Sequence, residues 1–519
     1  MGGFRSVLIF LAIIPLAIVL GYQVASGTSM GYALVGLCVC GVSIPFLLRY
    51  YEPIFVFSVN SAFLFPFLPG QPEFKILMAL FLIGIGIVDR TINKKNRFRF
   101  TTGTFACFLF IALVVVVTAM LRGGIGGRVL GADMWGAGKY VDIFKAFAIF
   151  FAFSSIRIPA DKVGLYSAMF FLGTLTHSLS NVVYSLGSGA MWLYWFLPTQ
   201  SAALQHIGET SGYGGFVRLT GLAFACLAFI LYLLSRFGIN GLVNTWRFWR
   251  IIAFFGALVL SLYGGYRSVL ILLGLILVFQ FYFEGLHRTA ALPIYASILL
   301  ITSVLAITNI QRLPLAFQRS LSFLPVEIDS VAASDAAGTL DWRFQIWATV
   351  VKEIPDYLLL GKGYAFKGVD YQLTFEGVRK GIFNAYEHIF IDGNYHHGLL
   401  TIIIPLGIWG IIGFIWFCVI ALKTIYRHYK LSPPHLKAVN TLVLSYFAGN
   451  LLFFSTMYGQ FAMDFATFTG LLGFSLALNR NVEEEREAMA KQLVLQEDEE
   501  TDEGYEEAED PHIAQPVLT

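Results

Sequence analysis

Apolar runs of roughly 17–25 residues recur along this chain of 519 residues, and each is long enough to cross a bilayer as a helix. That pattern constrains the fold more than any local motif. Composition agrees: 57% of residues are hydrophobic and 13% are charged, where a soluble globular protein carries about 25% charged residues. The expected class is an all-α, polytopic membrane protein whose helical bundle is one unit, so length says little about domain number.

Hydropathy places about 14 spans. They fall near 6–21, 31–48, 53–68, 75–88, 102–120, 142–156, 163–186, 220–234, 251–263, 269–286, 292–308, 399–422, 439–458 and 461–478. The expected organisation is a first set of eleven spans within 1–310, a large outer loop at 311–397, three further spans within 398–480 and an acidic tail at 481–519. Lys and Arg set the orientation. "DRTINKKNRFRF" (89–100), "KTIYRHYK" (423–430) and the connection carrying Arg236, Arg247 and Arg250 are basic. With an even span count all three share a side with both termini, which the positive-inside rule makes cytoplasmic. The opposite short loops carry only Lys75, Arg122, Arg128, Lys139, Arg218 and Arg267. The loop 311–397 then faces outward, into a periplasm where the cell has one.

The N-terminus has a short basic start, an apolar core and small residues near Ala25 and Gly27. Its apolar run is long, and cleavage would leave the count odd, so an uncleaved first span is expected. Gly2–Gly3 completes no convincing myristoylation motif. Cys38, Cys40, Cys107, Cys226 and Cys418 all fall inside apolar spans and read as small buried residues. The tail from Asn481 holds 14 acids and two bases, Arg486 and Lys491; the rest of the chain carries 33 bases against 19 acids. Such a tail reads as solvated and largely disordered cytoplasmic chain.

The loop 311–397 is amphipathic. In "WRFQIWATVVKEIPDYLLL" (342–360), Phe344, Trp347, Ala348, Val351 and Ile354 recur at helical spacing, which predicts a short helix before Pro355. "LGKGYAFKG" (360–368) reads as a Gly-rich turn and lacks the order of a phosphate-binding P-loop. "DGNYHHGLL" (392–400) sets His396 and His397 before a strongly apolar run. Asp392 and Asn394 suit a turn or a helix cap there. A helix start also favours an anion. No Rossmann fingerprint, zinc-protease motif, dense metal-ligand cluster or internal repeat is visible. Asp142 and Lys145, i and i+3, are expected to pair. Asp464, His177 and Asn450 lie in apolar runs with no motif around them.

Four stretches together resemble the bacterial O-antigen polymerase and O-antigen ligase family of polytopic membrane glycosyltransferases. In "YGGYRSVLILLGL" (263–275) an Arg follows a small-residue turn and starts a span. "RFQIWATVVKEIPDYLLLGKGYAF" (343–366) is similar to the family's Arg–x3–Trp helix followed by Pro and a Gly-x-Gly turn. In "HHGLLTIIIPLGIWG" (396–410), His396 and Gly407 keep the family's eleven-residue spacing, and His397 stands where an Asn is expected. "RLTG" (218–221) is a weaker match. The resemblance covers roughly 218–410.

The resemblance implies transfer of a glycan from a polyprenyl-diphosphate-linked donor to an acceptor hydroxyl on a glycan or lipid-linked molecule. The reaction would take place at the outer face of a bacterial cytoplasmic membrane, without cofactor or metal. Polysaccharide-assembly proteins and membrane lipids are the implied partners, and nucleic acid is not. Polymerase and ligase share this chemistry and differ in acceptor. Fixed cations suit the departing diphosphate, and a positioned His suits removal of the hydroxyl proton. Arg218, Arg267 and Arg343 are the diphosphate candidates. His396 and Arg343 are the catalytic ones, with Asp392 and His397 in support. The bland alternatives are that Arg218 and Arg267 snorkel to headgroups, that Arg343 pairs with Asp341 or Glu353, and that the histidines are interfacial. A lipid-linked oligosaccharide flippase or other polysaccharide transporter is the rival class; it would favour repeated halves and broken helices meeting at mid-membrane.

Overall fold

The computed structural model describes residues 14–508 apart from 16, 20, 23–24, 26–28, 69, 93–97, 127–131, 211–216, 244–246 and 385–386. The expectations for Gly2–Gly3, for most of the first span, for Arg128 and for the side chains of Cys38 and Cys40 lie outside the described residues. The first half of the chain contributes α1 (Ser29–Val59), α2 (Phe74–Ile92), α3 (Thr102–Arg122), α4 (Ala137–Ser155), α5 (Val163–Leu172), α6 (His177–Leu186), α7 (Gln200–Thr210) and α8 (Thr220–Val243). Next come α9 (Phe248–Ser261), α10 (Arg267–Phe283), α11 (Ala291–Asn309), α12 (Leu315–Ser320), α13 (Ser330–Tyr357), α14 (Gly368–Arg379) and α15 (Glu387–Asp392). The chain closes with α16 (Leu400–Lys430), α17 (Pro434–Thr456) and α18 (Phe461–Ala508). A two-residue antiparallel pair, β1 (Met134–Trp135) with β2 (Phe366–Lys367), ties the α3–α4 connection to the segment after α13.

Among the described residues, six helices are long and apolar enough to cross a membrane: Thr102–Arg122, Thr220–Val243, Leu292–Arg312, Leu400–Lys430, Pro434–Thr456 and Phe461–Leu493. Phe248–Gly264 and Arg267–Phe283 are shorter apolar helices. The architecture is that of an all-α membrane protein. Its main core includes phenylalanines of α3, α4, α16 and α18: the ring of Phe108 packs 4.9 Å from that of Phe150, and the ring of Phe465 lies 5.0 Å from that of Phe417.

Three elements differ from their sequence expectation. The runs 31–48 and 53–68 give two helical stretches of α1 that meet at a break at Tyr50 (φ −124°), and the second stops at Val59 rather than 68. Pro53 explains the break, since it cannot donate to the fourth carbonyl before it and its ring crowds that carbonyl. The run 163–186 is interrupted by a 3-10 turn at Gly173–Thr176. Asn60 Nδ2 donates to Phe170 O (2.7 Å) and Ala62 N to Thr176 Oγ1 (2.8 Å), so the end of α1 takes partners at the interruption. The tail, expected to be disordered from Asn481, instead continues α18 to Ala508. Glu, Ala, Met, Lys, Gln and Leu here are strong helix formers. Its first acids are also held: Glu484 pairs with Arg480 (3.1 Å) and Arg157 (3.3 Å), and Glu487 with Arg99 (2.8 Å).

Helix α16 is broken at Gly407 (φ +67°), two residues after Pro405. The backbone groups released by the break are taken up by the Gly-rich turn after α13. Lys362 N donates to Ile404 O (2.7 Å), Gly363 N to Pro405 O (3.0 Å), and Ile408 N to Leu358 O (2.7 Å). Both glycines are required. A Cβ on Gly361 (φ +64°) would lie 2.2 Å from Pro405 O, and one on Gly407 would lie 2.8 Å from Leu358 O. Arg122 Nε adds a bond to Gly361 O (2.9 Å). A second, smaller core of Ile346, Val350, Ile389, Tyr395, Leu400 and Ile404 then fixes the later half of α13 against the start of α16.

Candidate functional site

The helix predicted to stop before Pro355 is longer: α13 runs from Ser330 to Tyr357 with Pro355 inside its last turn. It carries Asp335, Thr339 and Arg343 past the ends of α8 and α10. One backbone bond brings those ends together, and a side-chain bond holds the start of α8 against α6. Leu219 N donates to Tyr263 O (3.1 Å). Gly221 N donates to Asn181 Oδ1 (2.9 Å), at a point where a Cβ would lie 2.2 Å from His177 O. "RLTG" and "YGGYR" are therefore neighbours in space.

Arg218, just before α8, donates through Nη2 to both oxygens of Asp335 (2.6 and 2.5 Å). Arg319, in α12, is 4% exposed. Its Nε donates to the same Asp335 carboxylate, its Nη1 to Gly265 O, and its Nη2 to Thr339 Oγ1 at 3.4 Å. Arg267, the first residue of α10, donates to Ala336 O (3.0 Å) and feels the charges of Arg319, Arg343 and Asp335. Arg343 makes no ion pair among the described residues: Glu353 is taken by Lys362 (3.1 Å). Its guanidinium instead lies 5.6 Å from the ring centre of Trp342 and 5.5 Å from that of Tyr458, and its Nε is buried without a hydrogen-bond partner. Burial lowers the pKa of Arg218 and of Arg343, and Arg319 adds to both shifts. Two arginines, Arg218 and Arg319, thus share one carboxylate, and Arg267 and Arg343 lie close enough for their charges to act within the same group.

His396 shares two of the neighbours of Arg343. Its ring is 5.1 Å from Trp342 and 5.3 Å from Tyr458. The residue has left-handed backbone (φ +52°), which few non-glycine residues adopt and which costs roughly 1–3 kcal/mol. Its Nδ1 is buried without a partner. Burial first, and Arg343 next, push its pKa down to about 4, so the imidazole is neutral near pH 7 and able to accept a proton. His397 stacks edge-on against Trp347 (5.1 Å), away from this pair, with its own pKa lowered by burial.

Asp392 is the last residue of α15, bound by Lys139 Nζ at 2.5 Å. It does not cap α16, whose cap position is Leu399 with no side-chain bond. Its charge reaches His396 only through space. Asp142 and Lys145 form the expected i,i+3 pair (2.6 Å), and Asp464 accepts from Gln460 N (2.6 Å). Among the described residues no three His, Cys, Asp or Glu side chains converge as metal ligands would. Cys107, Cys226 and Cys418 are free and buried.

The structure therefore brings Arg218, Arg267 and Arg343 into one cluster and sets His396 beside it. Sequence reasoning missed Arg319, Asp335, Trp342 and Tyr458. Only Asp335 had a visible signal, as a lone acid in the small-residue run "VAASDAAG". No protein-family model matches the chain, and no curated protein matches it.

Proposed function

We propose that the protein is an integral-membrane glycosyltransferase of the O-antigen polymerase or ligase type. It moves glycan from a polyprenyl-diphosphate donor to an acceptor hydroxyl at the outer face of a bacterial cytoplasmic membrane. The single observation that carries this reading is the cluster of Arg218, Arg267, Arg319 and Arg343, in which one carboxylate pairs with two of the four, with His396 and its unpartnered Nδ1 at the edge. Fixed guanidiniums in a water-poor site stabilise a departing diphosphate without reorganising. They pair with phosphate oxygens in a planar fork and stay charged. In the proposed step His396 takes the acceptor O–H proton, the acceptor oxygen bonds to the sugar C1, and the C1–O bond to the diphosphate breaks. The proton is left on the imidazole and the charge on the diphosphate.

The finer arrangement belongs to the same proposal: about 14 spans, both termini cytoplasmic, and residues 311–397 outside. The helix breaks at Gly407 and Gly238 invite a transporter reading. Each is closed by protein, however. The turn 358–363 fills the first, and Glu284 caps the second, accepting from Ile239 N (2.8 Å) and Asn240 N (3.0 Å). Neither leaves backbone open to a substrate path.

The test is a transfer assay with purified protein in lipid nanodiscs, a polyprenyl-diphosphate glycan and a glycan acceptor, with and without chelator. Polyprenyl diphosphate release with acceptor extension, unaffected by chelator, is expected. Reporter fusions within 330–340 should be extracytoplasmic. A cytoplasmic result there would separate the arginine cluster from its substrate and end the reading.

A further inference from the structure

We propose that the carboxylate of Asp335 sits in the seat of a donor phosphate and is exchanged for it on binding, with the first half of α13 as the element that moves. This rests on the diphosphate reading above. A carboxylate whose two oxygens take Nη2 of Arg218 at 2.6 and 2.5 Å while one also takes Nε of Arg319 has the contacts that a phosphate edge makes between two guanidiniums. The charge of Asp335 acts on Arg267 as well as on Arg218.

Exposure gives the direction of approach. The Asp335 side chain is 39% exposed, that of Arg218 21% and that of Arg319 5%. An anion arriving from solvent meets the acid first and the arginines behind it. Arg267 holds Ala336 O, and Arg319 also reaches Thr339, so three arginines grip the single stretch 335–339. They are engaged by α13 in the position where they would engage a ligand.

That stretch is lightly built. From 331 to 338 its side chains are Val, Ala, Ala, Ser, Asp, Ala, Ala and Gly, of which Ala332 and Ala336 are buried. Small side chains bury little apolar area, so little is lost when they lift away. Gly338, with open space around its Cβ position, weakens the helix where the stretch joins the rest. The later half is anchored instead, with Ile346 and Val350 at 0% exposure in the second core. A diphosphate ester carries more negative charge and more acceptor oxygens than one carboxylate, so it is the better partner for four guanidiniums. Exchange leaves Arg319 paired throughout and admits only ligands anionic enough to displace the acid.

The test measures binding of geranylgeranyl diphosphate to the purified full chain in detergent, with hydrogen exchange followed across 330–339. Asp335→Asn removes the competing charge and should tighten binding by roughly tenfold. In the wild type the ligand should speed exchange in 330–339 and leave 346–350 unchanged. Equal or weaker binding by Asp335→Asn would make the acid a fixed strut and overturn the exchange. Where that variant does not fold, unchanged or slowed exchange in the liganded wild type overturns it equally. If Arg267→Ala loses binding while Asp335→Asn gains none, the diphosphate reading stands and only the exchange falls. If the wild type does not bind the probe, the diphosphate reading falls first.

Discussion

Two histidines lie among arginines at opposite ends of α16, and their surroundings differ in every respect that matters for chemistry. His428, 3% exposed, has both ring nitrogens partnered: Nδ1 with Ser475 Oγ (2.8 Å) and Nε2 with Glu483 (3.1 Å). Around it Arg99, Arg157, Arg427 and Arg480 meet Glu483, Glu484 and Glu487, nearly charge for charge. Asn440 and Asn479 complete the region with reciprocal bonds of 2.8 and 2.9 Å. At the other end a group of four arginines has one acid, which pairs with only two of them, and Arg343 Nε and the Nδ1 atoms of His396 and His397 are buried without partners. Buried polar atoms without partners cost free energy, so a chain rarely retains several in one place. The balanced end reads as a fastening between helices. The unbalanced end reads as a place that awaits an anion.

The largest expected effect tests that contrast directly. His396→Ala should lower turnover by about 10²–10⁴-fold, the usual worth of general-base assistance, with protein level and donor binding kept. His428→Ala should lower thermal stability and leave turnover within a few fold. Equal activity losses from the two would erase the distinction between the ends. The pH profile sharpens it. His396 must be neutral to accept a proton, and its pKa lies near 4, so turnover should hold as pH falls below 6 and drop only as pH passes through about 4. Its depressed pKa also means that its contribution to stability is full above its ordinary value and is lost as pH falls from there towards about 4. His397→Asn should be tolerated, since His397 faces Trp347 rather than the cluster.

The arginines come next. Arg267→Ala or Arg343→Ala should each cost about 10²–10³-fold in turnover, as removal of one charge-stabilising donor commonly does. Lys should rescue poorly where a planar fork is needed. Arg427→Ala, at the balanced end, should leave transfer intact in the same nanodisc assay. Full activity in both cluster variants would sink the diphosphate site.

Much of the helical frame was legible because hydrophobic length is a local property. The runs 102–120, 220–234, 399–422, 439–458 and 461–478 coincide with α3, α8, α16, α17 and α18. Three of the four clustered arginines were visible through their motifs. Arg319 was not, because its partners Asp335 and Gly265 are 16 and 54 residues away and nothing local marks it. The reach of α13 was misread mainly at its start, because the small residues of 331–338 and Gly338 show no apolar period, whereas its end lies only two residues beyond Pro355. The role of Gly407 was also beyond local reading: its spacing from His396 was visible, but the turn that closes the break comes from residues 358–363. The first acids of the tail meet Arg99 and Arg157, more than 300 residues earlier, so those contacts were invisible in the local sequence.

Gly407→Ala should have an intermediate effect, on stability first. The backbone at Gly407 (φ +67°, ψ −164°) is one that essentially only glycine adopts, at a cost of roughly 1–3 kcal/mol to another residue, and the added Cβ meets Leu358 O at 2.8 Å. Thermal unfolding in detergent should shift down. Because the turn holding α13 is bonded across this break, transfer should fall as well. An unchanged unfolding temperature would mean that the turn and the broken helix are not coupled.

The smallest effect belongs to the balanced end. Glu487 pairs with Arg99 at 2.8 Å, with side-chain exposures of 54% and 34%. Water and salt screen such a pair, and exposed pairs contribute about 0–1 kcal/mol. Arg99 also reaches Glu484 (3.5 Å), so the loss of one acid leaves another within its charge field. Glu487→Gln should therefore lower the unfolding temperature only slightly, and the difference from wild type should shrink as salt is raised. Turnover should not change, because the arginine cluster proposed to hold the donor lies at the far end of α16. The stretch of α16 beyond the break at Gly407 runs to Lys430 and at about 1.5 Å per residue spans roughly 35 Å, several screening lengths at physiological salt. A tenfold loss of transfer in Glu487→Gln, with the fold intact, would show that the fastening end controls the reactive one.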